Sequence, residues 1–261
     1  MRLLLDLGNT RLKWALQPPH SAAWVAHGAA LWHEDVAAVL ASAWAGLPSP
    51  ETVGAASVVD AAREAQVAAV VARRFGRAPV WLRTPAQACG VRNAYAEPRR
   101  LGVDRFLAMV AARAAGQAPC VLVGAGTALT LDALAADGRH LGGLIAPGPQ
   151  LMQQSLLERT ALVRPERPGV IMELADNTAD AVASGCWQAA VALIERFATR
   201  MAARLGGVPT LVLDGGDAAR LAPLLSLPAQ LSRDGVLRGL AVWADTQPAQ
   251  SPPGMHGDGW R

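Results

Sequence analysis

Short apolar runs that flank a glycine-containing turn open the chain. Residues 3–6 and 12–16 lie on either side of residues 8–10 (Gly-Asn-Thr), and this spacing predicts two strands joined as a β-hairpin. Apolar periodicity predicts the rest of the first half. Its further strands are predicted at residues 22–26, 52–56 and 80–82, and its helices at residues 35–44, 61–75 and 103–115.

The same succession of elements begins again at residue 120. Residues 120–123 and 129–134 flank a second turn, residues 124–127 (Gly-Ala-Gly-Thr), and predict another hairpin. Further strands are predicted at residues 140–146 and 209–213, and helices at residues 149–157, 178–205 and 235–245, with a short helix from residue 218. The repeated plan predicts an α/β protein of two similar mixed-sheet lobes, residues 1–116 and 117–245, with a cleft between them.

The composition is that of a globular protein. Apolar residues make up 52% of the 261 residues, which is enough to bury a sizeable core. The three cysteines lie far apart and are odd in number, which argues against a disulfide framework and against a Cys-X-X-Cys metal site. Residues 246–261 are dense in Pro, Gly, Gln and Ser, and this composition predicts a disordered tail.

Neither an export signal nor a membrane span is predicted. Asp6 and Asn9 interrupt the apolar run at the N-terminus too early for a signal peptide. The longest uncharged stretch, residues 114–131, is broken by glycines and a proline, unlike a spanning helix. We therefore expect a soluble protein of the cytoplasm, with no membrane partner.

Positive charge is spread along the chain. The net charge is +3, and no arginine-rich run with interleaved aromatic residues or zinc-finger spacing occurs, so nucleic acid is not an expected partner. Of the 24 basic residues only Lys13 is a lysine. Because ammonium and guanidinium groups serve different purposes, Lys13 is a candidate for a shaped anion site.

The first candidate site is the segment 6–13 (Asp-Leu-Gly-Asn-Thr-Arg-Leu-Lys). Gly8 lets the backbone approach a ligand closely, and successive turn amides can point at one anion. Thr10 and Lys13 add a hydroxyl and a positive charge for a phosphate. Asp6, at the end of a strand, is a candidate ligand of Mg²⁺. Taken alone, the segment is explained equally well as an ordinary hairpin turn.

The second turn, residues 124–127, has the same character and ends in Thr127. Two such turns, one at the start of each half, can hold the two ends of a triphosphate. Phosphoryl transfer depends mainly on such positioning and on neutralising charge. Residues 214–217 (Asp-Gly-Gly-Asp), at a strand end, are a weaker candidate for contact with a base or ribose.

The third candidate is the segment 101–105 (Leu-Gly-Val-Asp-Arg), where a carboxylate and a guanidinium open a predicted helix. Asp104 is a candidate acceptor for the proton of an attacking hydroxyl, and Arg105 a candidate partner for a carboxylate or phosphate. The alternative, which spacing alone favours, is that Asp104 complements the helix dipole and Arg105 is solvated.

Other polar positions carry weaker signals. Tyr95, the only tyrosine, lies in a polar loop that leads to Gly102. Asn177-Thr178 precedes a long predicted helix and is typical of a helix cap. The five histidines show no metal-ligand spacing, and neither a Walker A pattern nor a helix-opening Gly-X-Gly-X-X-Gly motif occurs.

In this order, the motifs resemble those of the type III pantothenate kinases, also called Bvg accessory factor homologues. The resemblance extends from the first strand to about Asp245. It is carried by the segments 6–13, 101–105, 126–130 and 142–148, by Asn177-Thr178 and by Ser184-Gly185. It implies the ribonuclease H-like fold of the superfamily that includes acetate and sugar kinases, Hsp70 and actin. It also implies transfer of phosphate from ATP to pantothenate, the first step of coenzyme A synthesis.

The resemblance further implies a set of site residues. The residues implied to bind ATP phosphates are Asp6, Leu7, Gly8, Asn9, Thr10, Arg11, Leu12, Lys13 and Thr127, with Mg²⁺ at Asp6. Asp104 is the implied catalytic proton acceptor. The residues implied to hold pantothenate are Tyr95, Gly102, Val103, Asp104, Arg105 and Thr178. Thr178 is implied to reach the substrate across the interface of a homodimer.

One position departs from the family pattern. Many relatives carry an aspartate two residues before the glycine of the second Gly-Thr turn, where it helps to bind K⁺ or NH₄⁺. This chain has Gly124 there. A requirement for K⁺ or NH₄⁺ can persist through backbone oxygens, but the carboxylate ligand is absent at this position.

Two alternatives stay open at the level of the sequence. One keeps the fold and replaces the acceptor by a sugar, acetate or a hydroxy acid. The other is an actin- or Hsp70-like nucleotide-dependent regulator, or a transcription accessory factor, that binds a partner. The lack of a DNA-binding motif and the presence of residues 102–105 weigh against the second alternative.

Overall fold

The computed structural model describes residues 1–161, 163 and 165–247, and the chain divides into two compact units. The first unit comprises Met1–Leu82 and residues 243–247, and the second is Arg83–Val242. This grouping assigns residues 83–116 to the second unit, and the predicted lobe bounds stay a prediction. Of the predicted tail, residues 248–261 lie outside the described residues.

The first unit contains a five-stranded sheet. Its strands are β1 (Arg2–Leu7), β2 (Arg11–Gln17), β3 (Ala26–Leu31), β4 (Thr52–Ser57) and β5 (Val80–Trp81). They lie in the order β3-β2-β1-β4-β5, with β1 antiparallel to β2 and parallel to β4. All six residues of β1 are buried, including Arg2 and Asp6, and the apolar residues 3–5 account for the prediction of this strand.

The predicted position of the third strand, residues 22–26, is wrong. The strand is Ala26–Leu31, and most of the predicted residues lie in the preceding loop, where Val25 is exposed. Cross-strand packing decides the register, because Gly28 pairs with Trp14 and a Cβ atom on Gly28 would lie 3.0 Å from the indole ring. A larger residue at position 28 would require that ring to shift, and the alternation of apolar residues does not reveal this contact.

Two capped helices complete the core of the first unit. Helix α1 (Val36–Trp44) begins after Asp35, whose side chain accepts a hydrogen bond from the Ala38 N–H (3.1 Å). Helix α2 (Ala61–Phe75) has the predicted bounds and ends at Gly76, whose left-handed conformation is typical of a glycine after the last helical turn.

The second unit begins with a segment that the sequence predicted as a loop up to residue 100. It contains a small hairpin of β6 (Gln87–Ala88) and β7 (Val91–Arg92), followed by a 3₁₀ turn at Pro98–Arg100. Each strand has only two residues, too few to show an alternating pattern. Helix α3 (Val103–Ala114) follows directly.

The sheet of the second unit repeats the topology of the first. Its strands are β8 (Cys120–Ala125), β9 (Ala128–Leu134), β10 (His140–Pro147), β11 (Thr210–Asp214) and β12 (Ala229–Leu231). Their order is β10-β9-β8-β11-β12, with β8 antiparallel to β9 and parallel to β11. The two sheets confirm the predicted duplicated plan. Strand β12 was missed because all three of its residues are exposed and leave no apolar pattern.

The remaining helices lie close to their predicted positions. They are α4 (Pro149–Arg159), α5 (Thr178–Leu205), α6 (Ala218–Leu221) and α7 (Gly235–Asp245). On α5, Trp187, Ala190 and Ile194 recur at helical spacing and are buried against the second sheet's core. Among the helices of the described residues, none has the length and apolar character needed to cross a membrane.

Candidate active site

The turn between β1 and β2 presents the polar part of the segment 6–13. The Gly8 N–H donates to the Arg11 carbonyl (3.1 Å) and closes the turn. Residues 9–10 are exposed, whereas Leu7 and Leu12 are fully buried in the core of the first unit. Any contact of these two leucines with a phosphate would therefore use their backbone.

Asp6 and Lys13 are cross-strand partners directly below this turn. Asp6 is buried at the end of β1, and Lys13 is half-buried. One carboxylate beside an exposed turn fits Mg²⁺, which is usually held by one or two carboxylates together with substrate phosphates. Within the described part of the chain, no group of three or more His, Cys, Asp and Glu side chains is arranged to hold a metal ion.

Trp32, which was not among the predicted site residues, holds this turn in place through two hydrogen bonds. Its indole Nε1–H donates to the Gly8 carbonyl (2.7 Å), and its backbone N–H donates to the Thr10 carbonyl (3.4 Å). The Arg63 guanidinium lies 4.9 Å from the centroid of the indole ring. Trp32 is 24 residues away from Gly8, so no local motif signals the contact.

The turn between β8 and β9 is enclosed by closely packed glycines. The Gly148 N–H donates to the Thr127 carbonyl (2.8 Å), and Thr127 itself is exposed. A Cβ atom on Gly148 would collide with the Gly126 carbonyl, and one on Gly215 with the Ala125 carbonyl. The segments that follow β10 and β11 therefore lie directly against this turn.

Both carboxylates of the segment 214–217 accept hydrogen bonds from other residues of the second unit. Asp214 accepts hydrogen bonds from the N–H groups of Gly215 and Gly235 (2.6 Å each), the second at the start of α7. Asp217 accepts one from the Gln150 side chain (2.5 Å) on α4. These bonds give the segment a structural role at two helix starts, and its contact with a base or ribose stays a prediction.

The Thr130 hydroxyl occupies the space where a side chain at position 124 would begin. Gly124 and Thr130 are cross-strand partners, and a Cβ atom on Gly124 would overlap the Thr130 Oγ1. This position therefore has neither a carboxylate nor the room for one in the present arrangement. The residues at this position do not fit a carboxylate-bound K⁺ or NH₄⁺ ion.

Asp104 lies in the first turn of α3, just after the N-cap residue Gly102. Its Oδ1 accepts a hydrogen bond from the Arg105 N–H (2.8 Å). A Cβ atom on Gly102 would lie 2.5 Å from that oxygen, so a side chain at position 102 would displace the carboxylate. Val103, between them, has a buried side chain. Burial raises the pKa of Asp104, and the backbone bond and charge of Arg105 oppose this rise only in part.

Arg105 is buried, so the alternative of a solvated side chain is wrong. The side chain is 5% exposed, and its Nε and Nη2 donate to the two oxygens of Asp132 (2.8 and 2.7 Å). Its Nη1 donates to the Tyr95 hydroxyl (3.2 Å). Asp132 lies in the middle of β9 and was not among the predicted site residues.

His140 joins this network from β10. One ring nitrogen, Nε2, lies 2.8 Å from Asp132 Oδ1, and the other, Nδ1, accepts a hydrogen bond from the Ala94 N–H (3.4 Å). This pattern assigns the proton to Nε2, which donates to the carboxylate. The Tyr95 ring stacks on the imidazole with centroids 6.1 Å apart and an interplanar angle of 17°.

The buried pair of Arg105 and Asp132 is ionised on both sides. Burial acts to raise the pKa of Asp132, but hydrogen bonds from His140 and Arg105 outweigh it and hold the pKa below its ordinary value. For Arg105, burial acts to lower the pKa, and the bonds to Asp132 raise it above its ordinary value. A charge-assisted pair of this kind fixes the orientation of the guanidinium.

Thr178 is the first residue of α5 and is exposed. Asn177 caps the helix as predicted, since its side chain accepts a hydrogen bond from the Asp180 N–H (3.0 Å). Asp180 in turn accepts two hydrogen bonds from the Arg167 guanidinium and one from the Val170 N–H. These bonds lower the pKa of Asp180 and tie the segment before α5 to the start of the helix.

Comparisons with known proteins place these features in a family. A sequence profile described as type III pantothenate kinase matches residues 2–200. A protein of Aromatoleum aromaticum named type III pantothenate kinase is 44% identical over 244 residues, covering 94% of this chain and 98% of the relative. A protein of the same name from Xanthomonas campestris pv. campestris is 46% identical over 245 residues, covering 92% and 96%.

A solved structure supports the fold independently. A Sinorhizobium meliloti protein named as a 2-dehydro-3-deoxygalactonokinase matches with a TM-score of 0.63 at 14% identity, covering 97% of this chain and 99% of that protein. At this identity the likeness concerns the fold alone. It agrees with the predicted α/β fold of two similar mixed sheets.

Proposed function

Because this chain belongs to the type III pantothenate kinase family, we propose that it transfers the γ-phosphoryl group of ATP to pantothenate and forms 4′-phosphopantothenate. This reaction opens coenzyme A synthesis, and it takes place in the cytoplasm. The proposal depends mainly on the position of Asp104. This carboxylate lies in the first turn of α3, its pKa is raised, and the next residue, Arg105, is hydrogen-bonded to Tyr95.

Asp104 is the proton acceptor in this reaction. The primary hydroxyl of pantothenate attacks the γ-phosphorus, the bond between that phosphorus and the β,γ-bridging oxygen breaks, and ADP leaves. The hydroxyl proton passes to the Asp104 carboxylate. Gly102, Val103, Arg105 and Tyr95 hold the acceptor, with Arg105 nearest its carboxylate, since a guanidinium is suited to binding that group.

The two glycine–threonine turns bind the nucleotide. Residues 6–13 contact the phosphates through the turn amides, the Thr10 hydroxyl and the Lys13 ammonium, and Thr127 contributes from the second turn. When bound at Asp6, Mg²⁺ offsets the negative charge of the phosphates. We propose that both turns are needed, because each turn alone holds only one end of a triphosphate.

The functional unit is a homodimer in which Thr178 reaches the partner subunit's substrate. Three exposed apolar side chains alternate along the segment before α5: Val170 (59%), Met172 (43%) and Leu174 (86%). The intervening Ile171 packs against the core, and Asp180 and Ser184 bind the segment's backbone. Such an ordered apolar strip close to Thr178 supports a protein interface there.

Gly124 offers a monovalent cation no carboxylate, so the oxygens at this position are those of the backbone and of the Thr130 hydroxyl. The Thr130 hydroxyl fills the space beside Gly124. A K⁺ or NH₄⁺ ion would therefore be bound more weakly than by a carboxylate, and the activity depends little on these ions.

The purified protein with Mg-ATP, incubated with and without pantothenate, tests the proposed function. Phosphorylated pantothenate, detected by mass, is the expected product. A parallel panel of sugars, acetate and hydroxy acids measures ADP release and tests the alternative acceptors. Hydrolysis of ATP that no acceptor accelerates would instead favour the nucleotide-dependent regulator and contradict the kinase proposal.

A further inference from the structure

Asp132 and His140 form a buried support beneath two proposed substrate-binding residues. The side chain of Asp132 is 4% exposed and that of His140 is fully buried. Neither group can touch bulk solvent, and a buried carboxylate is costly unless its charge is compensated. Asp132 meets that requirement with two hydrogen bonds from Arg105 and one from His140.

These bonds leave one side of the Arg105 guanidinium outside the ion pair. Nε and Nη2 face Asp132, whereas Nη1 reaches the Tyr95 hydroxyl (3.2 Å). The guanidinium carbon also lies 5.9 Å from the centroid of the Tyr95 ring. Asp132 therefore determines which edge of Arg105 is presented beside Tyr95.

His140 extends the same support to Tyr95. Its ring stacks on the Tyr95 ring, its Nδ1 accepts from the Ala94 N–H, and its Nε2 binds Asp132. One imidazole thus connects the loop that carries Tyr95 to the carboxylate that orients Arg105.

The backbone of β10 is adapted to this arrangement. The pairing of β10 with β9 shifts between His140 and Gly143, so that Gly143 lies opposite Asp132. A Cβ atom on Gly143 would lie 2.5 Å from Asp132 Oδ1 and 2.6 Å from Arg105 Nη2. The bulge therefore puts a residue without a side chain where the ion pair needs space.

We propose that Asp132 and His140 are positioning residues, which hold the Arg105 guanidinium and the Tyr95 ring as a preformed receptor for the carboxylate of the acceptor. This inference rests on the proposed function. Polar groups that are already held in place lose little conformational freedom when a ligand binds. Removal of Asp132 or His140 should therefore weaken the binding of the acceptor specifically.

The test is the kinetics of Asp132→Asn with separate KM values for pantothenate and ATP. We expect the KM for pantothenate to rise roughly tenfold or more, as for other supporting residues, while the KM for ATP stays within about twofold. Asp137→Asn is the matched control, because Asp137 lies in the same hairpin but its side chain is 53% exposed. This control should retain both KM values.

Graded variants of His140 provide a second measurement if Asp132→Asn does not fold. His140→Gln keeps a donor toward Asp132 and loses the ring stack, whereas His140→Leu loses both. We expect the KM for pantothenate to increase in the order wild type, Gln, Leu. Folded variants that all keep the wild-type KM for pantothenate would overturn the inference, and so would equal rises of both KM values. A wild-type protein that fails to phosphorylate pantothenate would contradict the proposed function itself.

Discussion

At the scale of single residues, the environment of Asp104 determines its proposed chemistry. An aspartate in the first turn of a helix is favoured by the helix dipole, which acts to lower its pKa. Burial has the larger effect here and raises the pKa of Asp104. The Gly102 backbone beside it and the Arg105 N–H fix the position of the carboxylate.

The acidic limb of the pH–rate profile follows from this pKa. A protonated Asp104 cannot accept the hydroxyl proton, so kcat/KM should fall as pH decreases through a value above the ordinary aspartate pKa of about 3.9.

Asp104→Asn should lower kcat by about 10²- to 10⁴-fold at neutral pH and keep the thermal unfolding midpoint. Near-normal turnover of that variant would remove Asp104 from the mechanism.

Gly102→Ala should disturb the same carboxylate without removing it. The new Cβ would lie 2.5 Å from Asp104 Oδ1, so the side chain has to move. We expect kcat to fall about 10- to 100-fold, because small displacements of a reacting group are costly. Gly46→Ala is the control, since a Cβ atom there would meet nothing within 4 Å. Equal activities of the two variants would contradict the proposed role of Gly102.

Gly124 leads to a prediction about ions. Replacing K⁺ and NH₄⁺ by a bulky organic cation at constant ionic strength should change kcat less than about twofold, because no carboxylate is present at this position to bind them. Initial rates over a titration of KCl provide the measurement. A saturable activation by K⁺ much larger than twofold would show that backbone oxygens suffice.

At the scale of elements, the start of α5 is stabilised by one carboxylate. Asp180 accepts hydrogen bonds from Arg167, Val170 and Asn177, and it joins the helix cap to the preceding segment. These bonds hold the pKa of Asp180 well below its ordinary value. A depressed folded-state pKa stabilises the fold at pH values above the ordinary aspartate pKa, and this contribution is lost as pH falls below it.

Asp180→Asn should therefore destabilise the protein at neutral pH. The urea midpoint of the variant should lie below that of the wild type at pH 7. The difference should shrink as pH falls below about 3.9, because Asp180 of the unfolded wild-type chain takes up a proton there while the folded state keeps the carboxylate charged. The exposed neighbour Asp176→Asn is the control and should unfold like the wild type. A difference that does not change with pH would indicate that the charge of Asp180 is unimportant.

At the scale of the whole molecule, the two units share one strand order and one set of strand directions. Each sheet carries a glycine–threonine turn after its first strand, at residues 8–10 and 124–127. The segment before α5 in the second unit adds an exposed apolar strip. This strip leads to a prediction about assembly.

Leu174→Glu should weaken the proposed homodimer. Leu174 is 86% exposed, and a charge there would have to be desolvated in an interface. Sedimentation should show a shift toward monomer, and kcat/KM should fall with dilution if Thr178 acts across the interface. Val208→Glu is the control, because Val208 is also exposed (69%) but lies beyond the other end of α5. Identical sedimentation of both variants and the wild type would contradict the proposed interface.

Local patterns in the sequence determined most of the elements of this protein. The two hairpin turns, the caps at Gly76 and Asn177 and the position of Asp104 at a helix start depend on residues within a few positions of one another. Such features can be predicted from the sequence because short-range sterics and hydrogen bonding determine them. The family motifs are of the same kind, which is why the fold class and the kinase family were predictable.

Only the tertiary structure decided how distant residues meet. Arg105 and Asp132 are 27 residues apart, and Trp32 reaches Gly8 from 24 residues away. The register of β3 likewise depends on the fit of Trp14 over Gly28. Chain packing brings these pairs together, and the patterns of a single segment contain no information about its partner. Packing, rather than local pattern, therefore makes Arg105 a buried and oriented guanidinium, whereas spacing alone favoured a solvated side chain.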